Sequence, residues 1–205
     1  MTILVINASL HEARSATRAM VAAYLEGVAD QNPQVVEHDL AAEPIPHLSP
    51  AQAAAIRGEE GAEPGALGPS DRLIRELEAA DTLVLGVPMY NFAVPSTLKA
   101  WIDNVVRARR TFVYEDGQPR GLLDPSKQVL VFASCDGVYT SGPAAAMDFV
   151  EPYLRTILGF IGLTDVTFVW AEGQAIPDLR GRDLTQGLQT ARDLSDRDAA
   201  AGQAS

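Results

Sequence analysis

Short apolar runs alternate with amphipathic stretches along nearly the whole chain. Ile3-Leu-Val-Ile6 is the first run, and from Ser15 to about Ala29 the residues Met20, Tyr24, Gly27 and Val28 fall on one face at helical spacing. Val35-Val36 opens a second strand. The segment Glu43 to Pro69 then turns rich in Pro, Ala, Gly and Glu, which predicts a long excursion with one helical turn near Ala51–Ile56. Leu73, Leu77 and Ala80 align on a helix from Asp71 to Ala80, with Ser70 as its N-cap. Thr82-Leu-Val-Leu-Gly-Val87 is a strand apolar on both faces. Pro88 ends it, Pro95 supplies the fixed φ of a first helical position, and Leu98, Trp101, Ile102 and Val105 continue as a helix. Thr111-Phe-Val-Tyr114 followed by Glu115-Asp-Gly117 reads as a hairpin arm, because Asp-Gly suits a tight turn. Gln128–Ala133 is the next strand, a helix follows from about Ala144 to Leu158, and Asp165–Trp170 is the last strand. The final helix spans roughly Asp183 to Ala200, with Leu184, Leu188, Ala191 and Leu194 as its buried stripe.

Five strand–helix units with no separate β-rich block predict an α/β fold. Right-handed crossovers favour a flavodoxin-like doubly wound parallel sheet in the order 2-1-3-4-5, with helices on both faces. At 205 residues the chain suits a single domain over positions 1–205. Composition narrows the chemistry. A formal net charge of −11, from 27 acidic against 16 basic residues, disfavours nucleic acid or an anionic membrane as a partner. The single cysteine, Cys135, excludes an internal disulfide or a multi-thiolate metal site. His11, His38 and His47 lack metal-ligand spacing, so no metal is expected. The chain enters directly on an apolar strand without a cationic leader, and no apolar run approaches a membrane span, so a cytoplasmic location is expected. The Arg/Asp alternation from Arg180 to Asp198 reads as a solvated helix face and not a binding patch.

In that strand order the loops after strands one, three and four lie side by side at the switch point, where ligands bind in open α/β sheets. The first loop, Asn7 to Thr17, brings Ser9 and Ser15-Ala16-Thr17 to a helix start, where free N–H groups and hydroxyls suit an anion such as a phosphate monoester. Ser15 as a plain N-cap accounts for the same residues. The second loop, Pro88-Met-Tyr-Asn-Phe92, holds a soft sulfur, two aromatics and an amide between two prolines. Its backbone N–H groups would have no ladder partners and could face a heteroaromatic edge, although core filling explains each side chain singly. The third, Ser134-Cys-Asp-Gly137, leaves its strand on small residues that allow close approach to a ligand, or simply make a turn. Cys135 has no His or Lys nearby in sequence to activate it and reads as a buried filler. Neither Gly-x-Gly-x-x-Gly nor a Walker loop occurs, and no Gly-x-Ser-x-Gly elbow supports a hydrolase. A phosphate at one end and a flat ring at the other describe FMN.

These residues resemble the FMN-dependent NADH-azoreductases, also described as NADH:quinone oxidoreductases, of the flavodoxin-like superfamily. The likeness runs over nearly the whole chain. It is closest in Pro88-Met-Tyr-Asn-Phe92, Thr97-Leu-Lys99 and Leu158-Gly-Phe-Ile-Gly162 with Thr164-Asp165-Val166, and it extends to Asp39–Pro46, Gly142-Pro143 and Ala171-Glu-Gly173. The resemblance implies that Ser9 and Ser15 to Thr17 hold the FMN phosphate and ribityl chain. Met89 to Phe92, after Pro88, would wrap the isoalloxazine, and Ser134, Cys135, Asp136 and Gly137 would approach its pyrimidine end. Tyr114 and Phe160 fall where the family places substrate-side aromatics at a homodimer interface. The helix carrying Phe149, Val150, Leu154, Ile157, Leu158 and Ile161 is apolar around much of its girth, which suits either that interface or burial within one chain. The family's fourth motif is usually Ser-Arg-Gly-Gly; here Ser134-Cys-Asp-Gly137 loses an arginine and gains a carboxylate, which near the ring would lower the flavin potential.

The implied activity is ping-pong transfer of hydride from NADH or NADPH through flavin N5 to a quinone or azo acceptor. The cofactor carries that chemistry, and no protein acid or base is nominated. A general FMN, nitro or chromate reductase, a flavodoxin-type electron carrier, and a flavin-free scaffold that binds a partner protein are the alternatives.

Overall fold

The computed structural model of the chain describes residues 1–11, 14–57 and 65–203. Residues 12 and 13 of the first loop and 58–64 of the excursion lie outside the described residues. The strands are β1 (Thr2–Asn7), β2 (Gln34–Asp39), β3 (Thr82–Pro88), β4 (Phe112–Glu115), β5 (Gln118–Gly121), β6 (Gln128–Ser134) and β7 (Val166–Ala171). The helices are α1 (Ala16–Gly27), α2 (Pro50–Arg57), α3 (Gly68–Ala79), α4 (Ser96–Val105), α5 (Glu151–Phe160) and α6 (Pro177–Gln203). Five strands form one parallel sheet in the order β2-β1-β3-β6-β7, which is the expected order with the hairpin β4-β5 inserted before the fourth sheet strand.

The period-2 alternation of a strand sorts the apolar residues onto two faces. Leu4, Ile6, Leu83, Leu85, Val87, Val129, Val131 and Ala133 pack with Leu73, Leu77, Trp101, Leu154 and Leu158 of α3, α4 and α5. Ile3, Val5, Val84, Leu130, Phe132 and Val169 pack with Met20, Val21, Tyr24, Ala191 and Leu194 of α1 and α6. Every residue of β3 is buried, as its unbroken apolar run requires.

Several boundaries differ from the sequence reading. The helix expected from Ala144 begins instead as a 3₁₀ turn at Ala145–Met147, and α5 starts only at Glu151. Pro152 has to sit in a first helical turn, and Asp148 Oδ1 there accepts from the N–H groups of Val150 (2.8 Å) and Glu151 (3.3 Å). Ser70 is not an N-cap. α3 begins at Gly68, and the buried Ser70 hydroxyl donates to Asn104 O at 2.6 Å and accepts from Arg107 Nη1 at 2.9 Å. β3 runs through Pro88, and Met89 N–H extends the ladder to Ser134 O at 2.7 Å. Pro95 is the N-cap of α4 and not its first residue. The final helix starts six residues early, at Pro177, on a proline and Asp178, both first-turn residue types. The excursion holds more helix than one turn, since α2 spans Pro50–Arg57.

Asp116 (φ 51°) and Gly117 (φ 77°) turn β4 into β5 with both central residues left-handed, the geometry for which Asp-Gly is suited. The hairpin docks on the end of α5. A Cβ on Gly121 would lie 2.1 Å from Gly162 N, so neither strand nor helix end could approach this closely with a side chain there.

Candidate functional site

All five strands are parallel, so their carboxyl ends share one edge: Asn7 pairs with Gly86, Pro88 with Ser134, and Ser134 with Ala171. Just beyond that edge lies a cavity of about 310 Å³. Its walls take Ser9, Ser15 and Ala16 from the first loop, Pro88, Met89 and Tyr90 from the second, and Ser134, Cys135 and Asp136 from the third. The three loops therefore converge on one space.

At the first wall Ser15 has the extended backbone of an N-cap, and its Oγ accepts from Arg18 N–H at 3.2 Å. The same oxygen lies 3.0 Å from Thr17 Oγ1. Thr17 is fully buried behind the wall, so its hydroxyl supports Ser15 and does not line the cavity. The N–H groups of Ala16 and Thr17 precede the first intrahelical acceptor and have no helical partner. Ser9, 2% exposed, holds the loop through Oγ–H to His11 O at 3.2 Å. Arg18 braces the turn from outside, with Nη2 donating to Ser9 O and both Nη atoms to the carboxylate of Asp39, each at 2.8 Å. That pairing holds the Asp39 carboxyl below the usual aspartate range, helped by the N–H groups of Ala41 and Ala42.

The second loop is a tight turn. Tyr90 N–H donates to Ala93 O at 2.9 Å and Ala93 N–H returns to Tyr90 O at 3.1 Å. Its central residues, Asn91 (φ 49°) and Phe92 (φ 69°), are both left-handed. The expectation that the whole loop presents free N–H groups therefore fails for Met89, Tyr90 and Ala93. At the tip of this turn Asn91 and Phe92 keep N–H groups for which no acceptor is found among the described residues. Asn tolerates this region and Phe rarely does. The Phe92 ring lies edge-on to Tyr139 at 5.8 Å, and its carbonyl accepts from Phe149 N–H at 3.0 Å. The Tyr90 hydroxyl accepts from Leu10 N–H at 3.1 Å and ties the first loop to the second. Tyr90 and Asn91 also wall a second, larger cavity of about 890 Å³ whose other sides are Val94, Pro95, Lys99, Phe149 and Tyr153.

The third loop is held by a residue the sequence reading did not single out. Glu172, at the end of β7, is buried, and its carboxylate accepts from Tyr139 N–H (2.6 Å) and Thr140 N–H (2.9 Å). Its only sequence signal was the Ala171-Glu-Gly173 likeness. Burial, and then the Glu172 charge, push the Cys135 thiol up to about 12, so the thiol stays protonated and unreactive. Asp136 is exposed on the cavity wall. Gly137 is not on that wall; its carbonyl accepts from Gly173 N–H at 2.7 Å, and a Cβ there would meet the Tyr139 ring at 2.9 Å.

His11, Arg14, Gln174, Ala175 and Arg180 complete the cavity and were absent from the sequence-derived set. Arg180 corrects one reading directly: most of the Arg/Asp alternation is a solvated face, but its first arginine lines the cavity. Tyr114 and Phe160 come together through Phe112, whose ring is 5.8 Å from Tyr114 and 4.5 Å from Phe160. Within one chain neither lines the two cavities just described, and Tyr114 is 63% exposed.

A cavity lined by hydroxyls at a helix start, a sulfur and aromatic turn, and two guanidiniums fits a phosphate-bearing flat ligand, and so fits FMN. Comparison with known proteins bears on the same cofactor. A family model described as "Flavodoxin-like fold" matches residues 1–194. The chain is 46% identical to an FMN-dependent NADH:quinone oxidoreductase of Hyphomonas neptunium over 89% of this chain and 90% of that protein. It is 44% identical to one of Ralstonia nicotianae over 98% of this chain and 100% of that protein. The solved FMN complex of an FMN-dependent NADH-azoreductase from Bacillus anthracis superposes with a TM-score of 0.86 at 25% identity, covering 97% of this chain and 100% of that one. The chain belongs to the flavodoxin-like family, among its FMN-dependent NADH:quinone oxidoreductases.

Proposed function

We propose that the chain is one flavodoxin-like domain that holds a single FMN in the 310 Å³ cavity and uses NADH or NADPH to reduce quinones and aromatic azo compounds. The observation that carries this reading is the convergence of Ser9, Ser15 and Ala16, of Met89 and Tyr90, and of Ser134 to Asp136 on one space, in a chain whose relatives are named for that chemistry. When bound, FMN would supply a two-electron centre, taking hydride at N5 from the nicotinamide and giving it to the acceptor in a separate half-reaction.

The protein's own work is positioning. Ser9, Ser15 and the N–H groups of Ala16 and Thr17 would hold the phosphate and ribityl chain at the start of α1. Met89 would lie against the ring, and the N–H groups of Asn91 and Phe92 at the turn tip would meet its polar edge. Ser134, Cys135, Asp136 and Gly137 would approach the pyrimidine end. Tyr90 lines both this cavity and the larger one, which offers a flat acceptor apolar walls beside the flavin site. A pure electron carrier has no use for such a neighbour. Tyr114 and Phe160, which line neither cavity in one chain, would serve the substrate side from a second copy across a homodimer interface.

The reading is tested by steady-state kinetics of the FMN-loaded protein with NADH and a soluble benzoquinone. Successive use of one flavin face gives parallel double-reciprocal lines as the second substrate is varied. Intersecting lines would contradict it.

A further inference from the structure

Two guanidiniums line the cavity, Arg14 from the first loop and Arg180 from the first turn of α6, and neither has a carboxylate within ion-pair distance among the described residues. Arg18, Arg107, Arg110, Arg120, Arg155 and Arg182 are paired with acids, while Arg72, Arg75, Arg109, Arg192 and Arg197, like Arg14 and Arg180, have no acidic partner among the described residues. Arg14 and Arg180 differ from these five in lining one cavity together. In a protein of net charge −11, two unpaired cations facing one space mark a place for an anion. Among the described residues the one carboxylate on the same wall is Asp136, and it forms no ion pair with either.

Helix packing says where in the cavity the Arg180 side is. α1 and α6 cover the same sheet face and run side by side in step: Gly187 abuts Met20, and Gly27 abuts Ser195. Both contacts are close enough that a Cβ on either glycine would collide, at 2.6 Å from Met20 Sδ and 1.9 Å from Ser195 Oγ. Stepping back about two turns from Gly187 along α6 brings Arg180 to the N-terminal end of α1. Arg180 thus lines the cavity at the α1 start together with Ser15, Ala16 and Arg14. An anion at the α1 N-terminus would meet helix N–H groups, two serine hydroxyls and the two guanidiniums that line the same cavity.

We propose that Arg180, with Arg14, is a phosphate-binding residue of the FMN site, supplied by the fifth strand–helix unit. This rests on the reading that the cavity holds FMN. It makes recognition of the 5′-phosphate ionic as well as hydrogen-bonded, with two cations offsetting the Asp136 carboxylate on the cavity wall.

The test compares FMN with riboflavin, which lacks only the phosphate, by fluorescence titration of the full-length apoprotein at low and at moderate salt. Arg180→Gln should weaken FMN binding about fivefold to tenfold at low salt, leave riboflavin binding unchanged, and flatten the salt dependence. Arg180→Lys should recover part of the loss, and Arg14→Gln should behave like Arg180→Gln. Thermal unfolding of each apoprotein variant should match the parent, since neither guanidinium is paired with an acid among the described residues. Unchanged FMN affinity in both glutamine variants would overturn the proposal while leaving the FMN reading intact. Equal losses for FMN and riboflavin would overturn the assignment to the phosphate. A parent protein that binds neither flavin would overturn the site itself.

Discussion

Phe92 holds a φ of 69°, a conformation that costs a bulky residue free energy and that a glycine would adopt without strain. That strain sits on the turn whose two tip N–H groups are left for a ligand, which is where stored backbone strain tends to be found. Ser15 shows a different economy, with one hydroxyl capping α1, bonding Thr17 and facing the cavity. Replacing Ser15 and Thr17 together with Ala should remove roughly 1 kcal/mol of helix capping and weaken FMN binding about tenfold. A flavin titration that gave the parent affinity would contradict the phosphate assignment. Cys135 makes the opposite prediction, of inertness. A thiol pushed up to about 12 is protonated throughout the neutral range, so iodoacetamide at pH 8 should label it only after unfolding; rapid labelling of the folded protein would be inconsistent with its burial beside Glu172. Residues such as Ser9, Ser15 and Met89 were legible because their types match the chemistry. Arg180 and Glu172 were not, because nothing local to an exposed arginine on a polar helix, or to an acid ending a strand, says which cavity or loop it faces.

Elements were read well where one periodicity ran unopposed. β1, β3, β6 and α4 follow directly from their apolar spacing, and the Asp116-Gly117 turn from its residue types. The failures cluster where capping competes with periodicity. Pro152 and the Asp148 cap delayed α5 beyond an Ala-rich stretch that favours helix, and Pro177 with Asp178 started α6 before its apolar stripe begins. Two contacts between elements carry predictions. The Arg18–Asp39 pair ties α1 to the end of β2, and the folded-state pKa of Asp39 is lowered, first by Arg18. A lowered carboxyl stabilises the fold above the ordinary aspartate range near about pH 4, and the contribution is lost as pH falls through the folded value. Asp39→Asn should therefore cost about 1 kcal/mol at pH 7, with the gap in melting temperature closing in acid. A gap independent of pH would rule out the ionic origin. Gly121→Ala places a Cβ on the backbone of Gly162 and should destabilise by roughly 1–3 kcal/mol, seen as a lowered melting temperature. A variant as stable as the parent would contradict the close docking of the hairpin on α5.

For the whole molecule, the parallel sheet explains why loops distant in sequence act as one site. Strand order was recoverable from the alternation of elements, because right-handed crossovers leave few arrangements for five such units. What a chain of residue types does not contain is anything beyond its own boundary. Tyr114, 63% exposed, is a large side chain on the hairpin that lines neither cavity, and it acquires a role in the proposed enzyme only against a second copy. Sedimentation equilibrium should accordingly give twice the chain mass at micromolar concentration, and a monomer at that concentration would leave Tyr114 and Phe160 without their substrate-side role. The central claim, that this cavity holds a flavin which a nicotinamide reduces, is tested most directly by the visible spectrum under anaerobic conditions. The FMN-reconstituted protein should be yellow, retain the colour through gel filtration, lose it on addition of NADH and regain it on addition of a quinone. A protein that emerges colourless after incubation with FMN, or a yellow one that NADH cannot bleach, would contradict the account.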